Sequence, residues 1–334
     1  AHSYTPGLKV LHETKVHKDR ILPLRGEVVV ELNTQVKPDD IVARTHLPGN
    51  VQMLNVGNLL NIDPTDVEAT MLKPIGSQFA KGEMIAETKG LFGFFKSNVT
   101  SPIDCTIESI SSITGQVVLR DAPIPVEIDA YMRGNVSEVI PEEGVIIEAE
   151  AVFIQGIFGI GGESRGELLV VTESREDELT EDMIKPEHAG KVLVGGSFLS
   201  LKAYQKALKM KVAGIVVGGF NYFDLEEILG YTLGVAITGS EDLVTSLVLT
   251  EGYGEIRMGS RTFDLLKQHT GKFTSINGAT QIRAGVIRPE IVIPLDSEDI
   301  KGDVHAVKIN EGIQAGSLVR VIRAPYFGRI GMVV

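Results

Sequence analysis

Residues 74–119 read PIGSQFAKGEMIAETKGLFGFFKSNVTSPIDCTIESISSITGQVVL. Two short strands are predicted around Gly76, Gly82 and Ala86, because β-forming residues are separated there by turn-forming glycines. A glycine-broken run of phenylalanines follows. Residues 99–113 then alternate as a strand pair, interrupted at residues 101–104 (SPID). The stretch therefore predicts a β unit made of strand–turn–strand elements.

The first of these elements has a near-copy earlier in the chain. Residues 35–43 (QVKPDDIVA) recur 43 positions later as residues 78–86 (QFAKGEMIA). Val36 matches Phe79, and a Pro-Asp or Lys-Gly turn separates the two strands of each copy. Because neither copy can bury its apolar face alone, we predict one β-rich domain over residues 26–160. A third β block at residues 117–151 closes it, and residues 1–25 form an extended arm.

A short helix is predicted between the two copies. Residues 62–72 read IDPTDVEATML, with Asp63 as the N-cap and Pro64 in the first turn.

The order of these elements resembles the barrel-sandwich hybrid of biotinyl and lipoyl carrier domains, of the C subunit of bacterial Rnf electron-transport complexes and of RNA polymerase large subunits. The resemblance covers residues 26–151, but the fold serves carriers, redox subunits and scaffolds alike. Carrier domains are modified on a lysine, commonly in an Ala-Met-Lys-Met setting. The match here, Lys209 in ALKM, lies on a predicted helix outside the β domain. We therefore expect no biotin, no lipoate and no other cofactor.

Residues 161–294 follow a different pattern. Continuous apolar runs, GELLVV, GKVLVGGS and AGIVVGGF, alternate with an amphipathic helix over residues 199–211 and a short helix in DLEEILG. This alternation predicts a layered β/α/β domain, which resembles the swivelling β/α domains of multidomain enzymes. A second long helix is predicted over residues 241–249 (EDLVTSLVL).

The C-terminal segment, residues 295–334, returns to a β pattern. Residues 316–334 (GSLVRVIRAPYFGRIGMVV) resemble the KOW element of SH3-like small barrels in ribosomal proteins and transcription elongation factors. The likeness rests on Arg320, Arg323, Tyr326, Phe327, Gly328, Arg329 and Gly331. It implies a small SH3-like barrel, incomplete at its end. The predicted fold class is thus a multidomain α/β and β protein: a hybrid β domain, a swivelling-like β/α/β domain and this terminal barrel.

Composition limits the functional classes. The chain has 334 residues, a formal net charge of -12 and a single cysteine, Cys105. The negative charge argues against binding nucleic acid over a large surface, which needs clustered Lys and Arg. One cysteine excludes an intrachain disulfide and an all-cysteine zinc site. No apolar run reaches the ~18–20 residues of a spanning helix, and we expect a cytoplasmic protein.

Two buried strands of the predicted α/β domain end in paired glycines. In open α/β sheets, ligands bind at the carboxyl ends of the strands, where loop amides converge. The sequence therefore predicts a ligand site there, formed by Gly195, Gly196, Ser197, Gly218, Gly219, Asn221, Asn277 and Arg283. The alternative is that the glycines let strands end tightly against helices.

Partner binding is predicted at two places. The glycine-broken loop between predicted strands contains Leu91, Phe92, Phe94 and Phe95, which either plug the barrel end or form an apolar docking surface. The KOW-like segment adds Arg320, Arg323, Tyr326, Phe327 and Arg329, and it is the one part where nucleic-acid contact is expected.

These features favour a non-catalytic adaptor or scaffold subunit of a larger assembly, one associated with transcription or translation if the KOW likeness holds. No catalytic residue set and no metal site is predicted. The alternative is an enzyme or enzyme subunit that binds a small anionic metabolite or nucleotide at the glycine loops. An electron-transfer role like that of the Rnf C subunit conflicts with the single cysteine, because iron–sulfur clusters need several.

Overall fold

The computed structural model describes residues 8–89, 96–231, 238–241, 243–281 and 287–296, together with 318–320 and 330–332. The fold is mostly β, with several sheets and few helices. Within this part of the chain every helix is too short to span a membrane, since the longest have nine residues.

The first half of the chain is built almost entirely from strands. They are β1 (Val10–Ile21), β2 (Glu27–Val28), β3 (Gln35–Val36), β4 (Ile41–Leu47), β5 (Val51–Asn55), β6 (Gln78–Phe79), β7 (Met84–Glu87), β8 (Asn98–Thr100), β9 (Cys105–Ile110), β10 (Gln116–Asp121), β11 (Ile124–Asp129), β12 (Gly134–Ile140) and β13 (Gly144–Gln155). Short helices lie between β5 and β6: α1 (Val56–Leu60), a 3-10 turn (Pro64–Asp66) and α2 (Val67–Thr70). Asp63 caps this turn by accepting from Thr65 N, as predicted.

These strands form two modules, one inserted into the other. Module A consists of β1–β4 and β11–β13, and module B consists of β5–β10 with the short helices between them. β4 pairs antiparallel with β11, with Leu47 opposite Ile124, so residues 48–123 form an insertion at the end of this strand pair. Each module has its own core, around Val36, Val42 and Ile147 in A and around Phe79, Ile107 and Leu119 in B.

The two modules share one backbone plan. The predicted repeat extends over residues 27–43 and 70–86, so that β3 and β4 of module A correspond to β6 and β7 of module B. Three backbone hydrogen bonds of module A recur in module B with equivalent partners. The bond from Val29 N to Val42 O in A matches that from Leu72 N to Ile85 O in B, both 2.9 Å. The bond from Asn33 N to Val136 O matches that from Gly76 N to Ile107 O, both 2.8 Å, and the bond from Val136 N to Thr34 O (2.9 Å) matches that from Ile107 N to Ser77 O (3.1 Å).

The correspondence continues into the second half of each module. β8 and β9 of module B match β11 and β12 of module A, now 29 positions later in the chain. Both second strands contain a bulge at the matching place, with Glu108 as the extra residue of β9 and Ser137 as the extra residue of β12. A bulge at the same point gives both modules the same local increase in twist.

The second half of the chain combines strands and helices. The strands are β14 (Phe158–Ile160), β15 (Glu163–Val170), β16 (Glu178–Leu179), β17 (Val192–Val194), β18 (Phe198–Leu199), β19 (Gly214–Phe220), β20 (Ser246–Tyr253), β21 (Phe273–Asn277), β22 (Glu290–Pro294), β23 (Leu318–Arg320) and β24 (Ile330–Met332). The helices are α3 (Leu201–Lys209), α4 (Tyr222–Leu229) and α5 (Ser260–Gln268), with 3-10 turns at Glu181–Met183 and Pro186–His188.

Four parallel strands form the centre of this part, in the order β20, β19, β17, β15. Helices α3 and α4 pack on one face through Ala203, Tyr204 and Leu225, and α5 packs on the other through Phe263 and Leu266. The predicted strands and the helix at residues 199–211 are confirmed.

The helix predicted over residues 241–249 is wrong, because Ser246–Tyr253 forms β20. This strand is buried on both faces over seven consecutive residues. A short apolar run of this kind has no periodicity that separates a buried strand from a buried helix. Helix α5, which follows it, has no counterpart among the sequence predictions.

Four strands of module A (β1, β3, β12 and β13) and the strands β14–β22 are joined in one sheet of thirteen strands, whereas the strands of module B form separate sheets. The last half of β13 pairs with β22, and β22 pairs with β21, so module A continues directly into the second half of the chain. β1, within the predicted extended arm, pairs along nearly all of β13 and is part of this sheet. In the C-terminal segment, β23 and β24 form an antiparallel pair.

Candidate functional site

The paired glycines at the ends of β17 and β19 are covered by backbone. A Cβ atom on Gly218 would lie 2.0 Å from Ile256 O, and one on Gly219 would lie 1.9 Å from Gly254 O. A Cβ atom on Gly196 would lie 2.5 Å from both Ser174 O and Asp177 O. The segments at residues 174–177 and 254–256 thus occupy the space beside these glycines. The glycines are therefore closely packed, but against non-helical segments rather than against the helices that the alternative from the sequence predicted.

The polar residues predicted beside these glycines bond to nearby backbone. Ser197 Oγ donates to Glu176 O at 2.8 Å, and Asn221 Oδ1 accepts from Phe223 N at 2.8 Å as the N-cap of α4. Asn277 Oδ1 accepts from Ala279 N at 2.9 Å. Gly195 packs against the side chain of Leu179, and Arg283 lies outside the described residues. A ligand-binding role for this set stays a prediction.

A cluster of charged side chains joins module A to the α/β strands. Arg20 on β1 makes two parallel hydrogen bonds to the carboxylate of Glu163 on β15, at 2.6 and 2.9 Å. Its Nε and Nη2 donate to the carbonyl and carboxylate oxygens of Asp129 at the end of β11. Arg165 on β15 donates to the other carboxylate oxygen of Asp129 and pairs with Asp39 at 2.8 Å. We call Arg20, Asp39, Asp129, Glu163 and Arg165 the ionic junction.

The charges of the ionic junction compensate one another. Burial alone would raise the pKa of Asp129, but Arg165, Arg20 and the N–H of Tyr131 outweigh it and lower this pKa below its usual value. The hydrogen bond from Arg165 to Asp129 likewise raises the pKa of Arg165. A polar cleft of about 250 Å³ lies beside the junction and includes Glu127 and Asp19 in its lining. Because each carboxylate of the junction accepts from a guanidinium, the arrangement fixes the position of module A.

Tyr131 extends this contact into the core. The residue is 1% exposed and has a left-handed backbone with φ of 64°. Its hydroxyl donates to Glu290 on β22, and its carbonyl accepts from Ser275 Oγ on β21 at 2.6 Å. Burial, with the nearby carboxylates of Glu290 and Glu163, raises the pKa of Tyr131 well above its usual value. The phenol therefore stays neutral, as a hydrogen-bond donor between module A and the α/β strands.

Module B has the opposite character, because large apolar side chains on its surface face solvent. Ile113 is 86% exposed and Met53 is 66% exposed, and Val51 and Leu59 are also exposed. Val51 and Met53 lie on β5, an edge strand of the four-stranded sheet. Helix α1, with Leu59, contacts the turn that contains Ile113, since Gly57 N donates to Gly115 O at 3.0 Å. We call Val51, Met53, Leu59 and Ile113 the apolar surface of module B.

Sequence reasoning missed this apolar surface. The alternation of β5 places Val51 and Met53 on one face, but nothing local to them says that this face is the outer one. The predicted partner residues Leu91, Phe92, Phe94 and Phe95 lie outside the described residues. Arg320 is the last residue of β23, and Arg323, Tyr326, Phe327 and Arg329 lie outside the described part.

Comparison of the chain with models of protein families, with curated proteins and with solved structures finds no match.

Proposed function

We propose that this protein is a non-catalytic adaptor or scaffold subunit in which module B binds a protein partner. The observation that supports it is the apolar surface of module B on an insertion attached through the β4–β11 pair. A contiguous exposed apolar patch is typical of an interaction site, and we take these four side chains as one such patch. Burying them against a partner would stabilise a complex by about 25 cal/mol per Å² of apolar area before the costs of association.

The rest of the molecule suits the role of a support. The ionic junction and the shared sheet hold module A against the α/β strands, and this gives the inserted module a fixed base. In this proposal modules A and B are both barrel-sandwich hybrids, the α/β part is a swivelling-like domain and the C-terminal segment is SH3-like. The KOW likeness of that segment suggests RNA polymerase or the ribosome as the assembly.

An enzyme that binds a small anion at the strand-end glycine loops has less support. The backbone atoms beside Gly196 and Gly218 leave no room for even a Cβ atom, whereas phosphate-binding loops need open space in front of their amides.

The test compares two full-length variants in affinity capture from the native source at modest salt, followed by cross-linking and mass spectrometry. The double variant Met53→Glu, Ile113→Asp places charges on the apolar surface, and we expect partner recovery to fall about tenfold or more, which corresponds to ~1.4 kcal/mol. The control is Phe223→Asp, which introduces the same kind of change at a 75% exposed residue of α4. Unchanged recovery with the double variant, or migration of the wild type as a bare monomer, would contradict the proposal.

A further inference from the structure

A second surface with different chemistry lies on module A. It is a groove of about 600 Å³ on the outer face of the three-stranded sheet formed by β11, β4 and β2. Exposed side chains of Val29 and Ile41 form its apolar floor. The groove is distinct from the ionic junction and belongs to the other module from the apolar surface of module B.

Acidic side chains surround this floor. Glu127, Arg44 and Glu27 lie in a row across the three strands, because Arg44 is the register partner of both glutamates. Arg44 pairs with Glu27 at 2.8 Å, and Glu31 stands at the end of the groove. Three carboxylates and one guanidinium give the lining a net charge of -2. A ligand with positive charges next to apolar side chains would complement it.

The backbone beside the groove can accept another strand. β2 is at the edge of its sheet and pairs with β4 alone among the described strands. Val29 N donates to Val42 O, towards β4. Since peptide groups along a strand alternate in direction, the N–H of Val28, the last residue of β2, points away from β4. An extended peptide can bond to such an edge and place alternate side chains in the groove.

The matching positions of module B show which groove residues the shared backbone plan requires and which occur only in module A. Leu72 of module B is exposed at the position that matches Val29, so both modules keep an apolar residue there. The acidic residues are not kept. Thr70, Pro74 and Asn98 stand at the positions that match Glu27, Glu31 and Glu127. The negative charge is therefore a property of module A, and the shared backbone plan does not require it.

We propose that the groove of module A binds an extended peptide segment in which apolar residues alternate with Lys or Arg, by strand addition to the edge of β2. This site is independent of the partner site proposed on module B. The apolar floor and the edge amides would hold the peptide backbone, and the three glutamates would select basic over acidic sequences.

The test uses the full-length protein and a fluorescent peptide, Thr-Val-Arg-Val-Arg-Val-Thr, with its Glu-for-Arg counterpart as the matched control. Fluorescence anisotropy should show binding of the Arg peptide that weakens as salt is raised, because the acidic residues are solvent-exposed. The Glu peptide should bind at least about tenfold more weakly. Equal binding of both peptides, or no binding of the Arg peptide at low salt, would overturn the proposal.

Two further measurements locate the site. The double variant Glu31→Gln, Glu127→Gln should weaken the Arg peptide about tenfold, while Glu68→Gln, an exposed position on α2 of module B, should leave binding unchanged. Hydrogen exchange at the Val28 amide should slow when the peptide binds. If the double variant and Glu68→Gln bind the Arg peptide equally well, the peptide binds elsewhere. Slowed exchange confined to module B would show the same.

Discussion

Modules A and B have the same backbone plan but different surroundings. The last strand of module A, β13, has 12 residues and continues into the large sheet, whereas its counterpart β10 has six and ends within module B. Asp129 of module A belongs to the ionic junction, and the matching residue of module B is the exposed Thr100. A longer final strand and a few charged side chains thus distinguish module A, which is joined to the large sheet, from module B, which is an insertion.

This comparison also explains where each module places its apolar residues. Module A buries Tyr131 between its own core and the α/β strands, so part of its apolar surface is used inside the molecule, while Val29 and Ile41 stay exposed on its outer face. Among the described residues, β5 of module B pairs with β10 alone, and the apolar surface of this module stays exposed. The same type of fold can therefore serve as a base or as a binding module, according to what covers its edge strands.

The largest predicted effect tests whether the two cores are independent. Leu119 of module B and Ile147 of module A occupy matching buried positions. We expect Leu119→Ala and Ile147→Ala each to cost about 3 kcal/mol, from lost burial and the cavity left behind. Leu119→Ala should accelerate hydrogen exchange mainly in module B, and Ile147→Ala mainly in module A and the large sheet. Exchange that rises equally in both modules for either variant would show a single cooperative core.

A smaller effect tests the ionic junction. Asp129→Ala leaves Arg20 and Arg165 without a shared carboxylate and should reduce the free energy of unfolding by about 2 kcal/mol in urea titrations. Thr100→Ala, the matching change in module B, should alter it by less than about 0.5 kcal/mol. Similar values for the two variants would mean that the junction contributes no more than an exposed surface residue.

The same carboxylate predicts a pH dependence. The pKa of Asp129 is lowered from an ordinary value of 3.8 in the folded protein. Its contribution is therefore fully present above this value and is lost as pH falls through the lower folded pKa. Urea midpoints measured on either side of pH 3.8 should fall more steeply with acid in the wild type than in Asp129→Asn. Parallel curves would exclude this linkage.

The smallest predicted effect concerns a turn that both modules share. Asn33 and Gly76 occupy matching positions with φ of 65° and 88°. Within the described part of the chain, no atom lies within 4 Å of a Cβ on Gly76, so Gly76→Ala should cost about 1 kcal/mol through backbone strain alone. Asn33→Gly should change the free energy of unfolding by only about 0.3 kcal/mol, because glycine adopts this conformation without strain. Thermal unfolding of both variants measures the difference, and a neutral Gly76→Ala would contradict the shared turn.

Part of the duplication was predictable from the sequence, and part was hidden by the order of the segments. In the first half of each module, A precedes B by 43 positions, as with Gln35 and Gln78. In the second half, B precedes A by 29 positions in β9 and β12, as with Ile107 and Val136, and by 28 in β10 and β13, as with Leu119 and Ile147. A search at one fixed spacing finds the first half alone. The second half shares a pattern of buried positions and a bulge, with few identical residues.

The candidate sites were also predictable only in part. Glycines at the ends of β17 and β19 were predictable from their buried strands, but loops at residues 174–177 and 254–256 decide whether those glycines face a ligand or backbone. Strand β1 was not predicted, because its many charged residues hide the alternation typical of a strand. Its strand conformation depends on pairing with β13. Neither outcome depends on residues near in sequence.

By itself, the sequence determined the local elements: the strand–turn–strand repeat, helix α3 and the capped turn at Asp63. These depend on interactions between residues a few positions apart. Tertiary structure alone decided that Leu47 meets Ile124 and that β13 joins β22. Such pairings depend on which apolar faces can be buried together across long chain separations, and they make module A the base and module B the exposed insertion.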